Sequence, residues 1–237
     1  MKLALAAVVL AFAGLHDARA NSACEGESGW ASEGAEVAPH PRLVYWVSNR
    51  GYFTPKTLIA KIDGKEVKTK VTSVDSAPNK LTVIEIDSDA KGALTLEWKD
   101  SGLPAGHYTI KPTTYPKVAH ATTSRYHSKL PHSTVQEVFD GLAIKVDVPA
   151  MRAHVKLRRD AKANWVELDV PVDQNHQLRI GELGCASNYE PQLLEKGVDI
   201  DVALVLPDGS SIPIEKFTHV FIAKLAKPTS QNPWDAE

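Results

Sequence analysis

Three histidines, His120, His127 and His132, fall within one short stretch of the chain, with His107 just upstream and Tyr115 and Tyr126 close by. Neutral imidazoles are good ligands for Zn²⁺ and Cu²⁺, so three of them could hold a metal in an exported protein. Their spacings of seven and five residues match no established ligand pattern. A flexible segment would also lose conformational entropy on wrapping an ion. The three remain candidate metal ligands, and the expected reading is that they are solvated residues of a connecting segment.

A hydrolase needs a nucleophile, a base and a group that orients the base. No Gly-x-Ser-x-Gly elbow occurs, and Ser48, Ser210 and Ser211 fall at turn-like positions. Asp87 with Asp89, and Asp199 with Asp201, are spaced by two. On a strand that spacing puts both carboxylates on one face, where calcium could bind with help from carbonyls. Acidic residues at that spacing more commonly line the solvated side of a strand. Asp173-Gln174-Asn175 has the composition of a polar turn. No catalytic residue and no cofactor is therefore expected.

The segment Gly181-Glu182-Leu183-Gly184-Cys185-Ala186-Ser187-Asn188-Tyr189 is the most unusual loop. Its composition suits a disulfide-anchored loop or a recognition surface. Lys156, Arg158, Arg159 and Lys162 form a small basic patch. Trp46, Trp98 and Trp165 fall in strand-like runs and are expected in the core, whereas Trp30 and Trp234 fall outside such runs and are expected to mark contacts.

The elements that hold these residues begin with the N-terminus. Lys2, an apolar stretch from Leu3 to Leu15 and Ala18-Arg19-Ala20 have the layout of a secretory signal, with cleavage expected after Ala20. The apolar stretch is too short for the ~20 residues that a membrane-spanning helix needs. Lipidation at Cys24 is the competing reading, but Asn21 and the polar segment from His16 separate that cysteine from the apolar stretch. Cleavage would take Lys2, Asp17 and Arg19 with it and move the net charge from −2 to −3. Such a near-neutral chain lacks the electrostatic footprint for nucleic acid or an anionic membrane surface. A periplasmic or secreted chain, with no membrane insertion of its mature part, is the expectation.

Cys24 and Cys185 are the only cysteines. In an oxidising compartment an isolated pair usually forms a bridge, and the spacing matches no zinc or redox motif. A bridge would close a loop of roughly 160 residues, for which the chain-entropy argument gives at most about 5 kcal/mol.

Residues 21–41 are rich in Gly, Ser, Glu and Pro and are expected to be an irregular lead-in. From Arg42 the texture becomes short β-type runs between turn residues: Leu43 to Val47, Leu58 to Ile62, Glu66 to Val71, Lys80 to Ile86, Leu94 to Trp98 and His107 to Lys111. Asp63-Gly64 is a hairpin signal, because both positions of a tight hairpin turn need positive φ. Residues 113–134 carry Pro116 and Pro131 with many Ser, Thr and His and are expected to be a linker. A second β-rich stretch, 135–225, holds runs at Leu142 to Val148, Ala153 to Arg158, Trp165 to Val170, Gln177 to Ile180, Val198 to Leu206, Ile212 to Ile214 and Val220 to Leu225. Pro207-Asp208-Gly209-Ser210 makes Val198 to Ile214 a hairpin. One or two helical turns are possible at Glu190 to Lys196, and the tail 226–237 is expected to be disordered.

Leu103-Pro-Ala-Gly106-His-Tyr108 resembles the Leu-x-x-Gly-x-Tyr stretch of immunoglobulin-like and fibronectin type III sandwiches. The resemblance covers about eight residues and implies a tyrosine corner, in which the Tyr108 hydroxyl would bond backbone a few residues upstream. Leu194-Glu-Lys-Gly197-Val-Asp199 echoes it with Asp199 in place of the tyrosine, so its corner would be of another kind. The layout resembles exported bacterial proteins of tandem immunoglobulin-like domains. It implies an all-β protein of two tandem Ig-like β-sandwich domains, 42–112 and 135–225, after a cleaved signal peptide. The function expected is non-enzymatic binding or scaffolding in the cell envelope, with an unidentified protein or envelope component as partner. A periplasmic metal-binding protein or envelope enzyme using the histidines is the rival.

Overall fold

Period-two alternation of apolar and polar side chains dominates this chain, and such a pattern buries one face of a strand while wetting the other. A computed structural model describes residues 28–48, 57–76, 79–99, 101–129, 138–158, 160–181 and 197–215. The chain is all-β, with no helix among these residues.

The strands are β1 (Ser28–Trp30), β2 (Glu36–Val37), β3 (Arg42–Ser48), β4 (Leu58–Ile62), β5 (Lys65–Glu66), β6 (Thr69–Ser76), β7 (Asn79–Ile86), β8 (Gly92–Trp98) and β9 (Gly106–Ile110). They continue as β10 (Ala121–Lys129), β11 (Val138–Val146), β12 (Arg152–Arg158), β13 (Val166–Pro171), β14 (Gln177–Gly181), β15 (Asp199–Val205) and β16 (Ser211–Pro213). Four sheets result: β1-β3-β7-β6, β2-β9-β8-β4-β5, β10-β11-β14 and β13-β12-β15-β16. Among the described residues the strands pair antiparallel except β2 with β9, and one isolated bridge, Ala119 with Ile214, is also parallel.

Two apolar cores form, each shared by two sheets. The first gathers Leu43, Tyr45, Leu81, Ile84 and Ile86 from one sheet and Ile62, Leu94, Leu96, Trp98, Tyr108 and Ile110 from the other. At its centre Trp30 stacks on Trp98 at 6.1 Å between ring centroids, and Tyr45 meets both rings edge-on. The second core takes Leu142, Ile144, Leu178 and Ile180 from β11 and β14, and Val155, Leu157, Leu168, Val202 and Leu204 from β12, β13 and β15.

Most expected strands form within a residue or two of the alternating runs. Asp63 and Gly64 close the β4–β5 hairpin with φ of +47° and +79°, as their composition implies. The β15–β16 hairpin forms as well, its turn held by Ser210 N donating to Asp208 Oδ1 at 2.9 Å.

Other expectations need correction. Residues 21–41 are not wholly irregular: Ser28–Trp30 and Glu36–Val37 are strands of the first two sheets. Trp30 is a core residue, 2% exposed, because its ring fills the space over Gly106. Residues 113–134 are not simply a linker, since Ala121–Lys129 pairs with β11 over nine residues. The polar Thr-Thr-Ser-Arg composition of that strand suits an edge position, where apolar side chains are a liability. Trp165 is 39% exposed rather than core. The Tyr108 hydroxyl bonds the Ala31 carbonyl at 2.7 Å, 77 residues upstream, so the local tyrosine corner is replaced by a long-range tie.

The leader, Cys24, Cys185 and their expected bridge, His132, Trp234, the loop 182–189, the possible helix at 190–196, the run 220–225 and the tail lie outside the described residues.

Candidate functional site

His120 and His127 are drawn out along the chain rather than gathered. His120 immediately precedes β10 and His127 lies in it, opposite Asp140. At about 3.3 Å per residue of extended chain, seven residues separate them by roughly 23 Å, too far to share one ion. The convergence that a metal site would need is therefore absent for this pair. His120 is exposed; its Nδ1 lies 2.7 Å from Glu215 Oε1 and its backbone N–H donates to Asp147 Oδ1 at 3.0 Å. His107 sits on β9 in another sheet, its Nδ1 3.1 Å from Glu33 Oε1. Tyr115 accepts the Ala38 N–H at 3.1 Å; burial pushes its hydroxyl up from the usual range.

The carboxylate pairs also have other work. Asp87 and Asp89 flank the His40 ring, with Nδ1 to Asp87 at 3.5 Å and Nε2 to Asp89 at 2.8 Å. Asp199 accepts from Arg158 Nε at 3.0 Å, and Asp201 stands opposite Lys156 in the β12–β15 register. Asp173 is a turn residue as expected: its Oδ1 accepts the N–H groups of Asn175 and Gln177 at 2.8 and 2.9 Å. Among the described residues, no group of three or more His, Cys, Asp or Glu side chains is arranged to hold a metal ion.

The richest cluster of charge is one that isolated motifs do not reveal. Arg152, His154, Lys156 and Arg158 alternate along β12 and share the outward face of its sheet, because Ala153, Val155 and Leu157 occupy the core face. Glu167 and Asp169 of β13 stand across from Lys156 and His154. The result is a ladder: Arg152 to Asp169 at 3.3 Å, His154 to Glu167 at 3.3 Å and to Asp169 at 3.6 Å, and Lys156 to Glu167 at 2.9 Å. The Lys156 ammonium, with His154 adding to it, holds the Glu167 carboxyl below its usual range. Arg158 ends the ladder 4.4 Å above the Trp165 ring. The signal was present as Arg-x-His-x-Lys-x-Arg facing Glu-x-Asp, once both runs are read as neighbouring strands. Of the expected basic patch, Lys156 is thus paired with Glu167 and Arg158 with Asp199, while Arg159 lies outside the described residues.

No protein-family model and no curated protein matches this chain. Among solved structures, dimeric latent PorU from Porphyromonas gingivalis matches at 14% identity over 85% of this chain and 21% of its own, with a TM-score of 0.29. Pullulanase from Anoxybacillus sp. LM18-11 matches at 6% identity over 86% of this chain and 29% of its own, with a TM-score of 0.25. The chain thus spans less than a third of either protein's length, and likeness at that level carries no functional argument. No helix among the described residues is long and apolar enough to cross a membrane.

Proposed function

We propose that this chain is an exported, non-enzymatic binding or scaffolding protein of the cell envelope, periplasmic or secreted, that captures a protein partner along an exposed strand edge. In this reading each core with its two sheets is an immunoglobulin-like sandwich, and the pair serves as a tandem module. The supporting observation is β6, an eight-residue strand that among the described residues stands at the end of its sheet, beside β7. Thr69 to Val74 pair with Ile86 to Leu81 in unbroken register, and Val71 is 39% exposed on that strand. A long edge in regular register carrying an exposed apolar side chain is a template for an added strand, and Lys70 and Asp75 give this one charges that such a strand would have to match.

The test is chemical crosslinking of the tagged chain in an envelope fraction, comparing native protein with Val71→Lys and Val118→Lys. Val118 is 47% exposed but lies outside the strands, so it controls for the added charge. The reading expects a discrete partner held by the native chain and by Val118→Lys and lost by Val71→Lys. Equal capture by all three, or no specific partner, contradicts it.

A further inference from the structure

We infer that the joint between the two cores is a lock rather than a hinge, so the chain holds its two halves at one fixed angle. The turn Ala31–Ala35 is the key piece. Ser32 is completely buried at φ +44°, and its Oγ donates to the Ala150 carbonyl at 2.7 Å while its N–H donates to the Val172 carbonyl at 3.3 Å. A serine held in left-handed backbone persists only where its surroundings over-determine it.

Those surroundings brace the turn from the first half as well as from the second. Tyr108 donates to Ala31 O at 2.7 Å, Ala31 N–H donates to Val44 O at 2.9 Å, and Gly34 N–H donates to His107 O at 2.8 Å. The turn projects from the first half, and its receptor is the pair of carbonyls of Ala150 and Val172, just before β12 and just after β13. Met151, 1% exposed, crosses the joint in the other direction and packs in the first core.

Two further contacts fix the remaining freedom. Arg42 N–H donates to Pro207 O at 2.6 Å, where the β15–β16 turn meets the start of β3. Ala38 N–H donates to the Tyr115 hydroxyl at 3.1 Å. Rotation about any one of the three attachment points must break the other two, and each involves backbone polar groups that are costly to strand away from water. A flexible tandem would instead be joined by a solvated linker with few crossing contacts.

Residual dipolar couplings of backbone amides in the full chain test this. The inference expects a single alignment tensor, equal in magnitude and direction, for β3, β7 and β8 on one side and β12 and β15 on the other. In the double variant Ser32→Gly, Met151→Ala the two tensors should diverge in magnitude. Ser32→Gly alone, which relieves the backbone strain and so keeps the fold, should give a smaller divergence. Unequal tensors in the native chain overturn the lock, and tensors that stay equal in the folded variants overturn its assignment to these contacts.

Discussion

Replacing Tyr108 with Phe removes one oxygen and should cost far more than a surface hydroxyl. The Tyr108 ring is 3% exposed and its hydroxyl is the donor to the Ala31 carbonyl at 2.7 Å. Ala31 is itself fully buried, so in the variant its carbonyl loses that donor where water does not reach. Losing one partner of a buried hydrogen bond costs about 1–3 kcal/mol. For a chain of this size each kcal/mol moves the melting temperature by roughly 2–4 °C, so a drop of about 4–8 °C is expected for a mid-range loss of about 2 kcal/mol. Thermal unfolding followed by tryptophan fluorescence reads this directly, because Trp30 and Trp98 sit in the same core.

The pH dependence sharpens the test. Burial first, and the nearby Glu33 carboxylate second, push the Tyr108 hydroxyl well above its ordinary value. A tyrosine whose folded value is raised stabilises fully below its unfolded value of about 10, and that contribution is lost as pH climbs beyond it. The Phe variant has no such loss, so the gap between the two proteins should narrow from about pH 8 to pH 11. Tyr45 and Tyr115 are also raised, but both proteins carry them equally. A loss below about 0.5 kcal/mol, or a gap indifferent to alkaline pH, would refute the role given to this bond.

Gly106→Ala places a Cβ 2.6 Å from Trp30 Cδ2, so overpacking should cost about 1–3 kcal/mol in denaturant unfolding. His176, at φ +58°, is held below its usual range chiefly by burial. The unfolded chain therefore takes up the proton first, and stability falls as pH drops below about 6.5. His176→Asn should remove that loss, so its melting temperature should gain on the native chain between about pH 7.5 and pH 5. Trp165→Ala, which removes only an exposed stack under Arg158, should cost no more than about 1 kcal/mol in the same unfolding measurement.

The strands were legible wherever alternation was clean. Ala153 to Arg158 buries every second side chain, and Lys80 to Ile86 alternates in sequence while burying Thr82, Ile84 and Ile86 on one face and Leu81 on the other, so the pattern alone locates both. The segments that escaped did so for physical reasons. β1 and β2 are three and two residues long, too short to show a period, and they are held by contacts made far along the chain. The sole local hint was Trp30, whose burial depends on the bare backbone of Gly106. β10 is polar because it ends a sheet, and its Ser, Thr and His content imitates a linker. The Leu-x-x-Gly-x-Tyr stretch pointed to a structural tyrosine, but not to its partner. Which carbonyl lies above the ring depends on where β1 ends, and no local pattern encodes that. The charge ladder needed the register of β12 against β13, which is a tertiary fact even though each half of it is plain in the chain.

Native-state hydrogen exchange measures most directly whether two cores and one buried joint act as a single structure. The slowest amides of β3 and β7 and those of β12 and β15 should open with one common free energy, and Tyr108→Phe should lower both sets together. Two separate opening energies, with the variant weakening only the strands of the first core, would contradict the account.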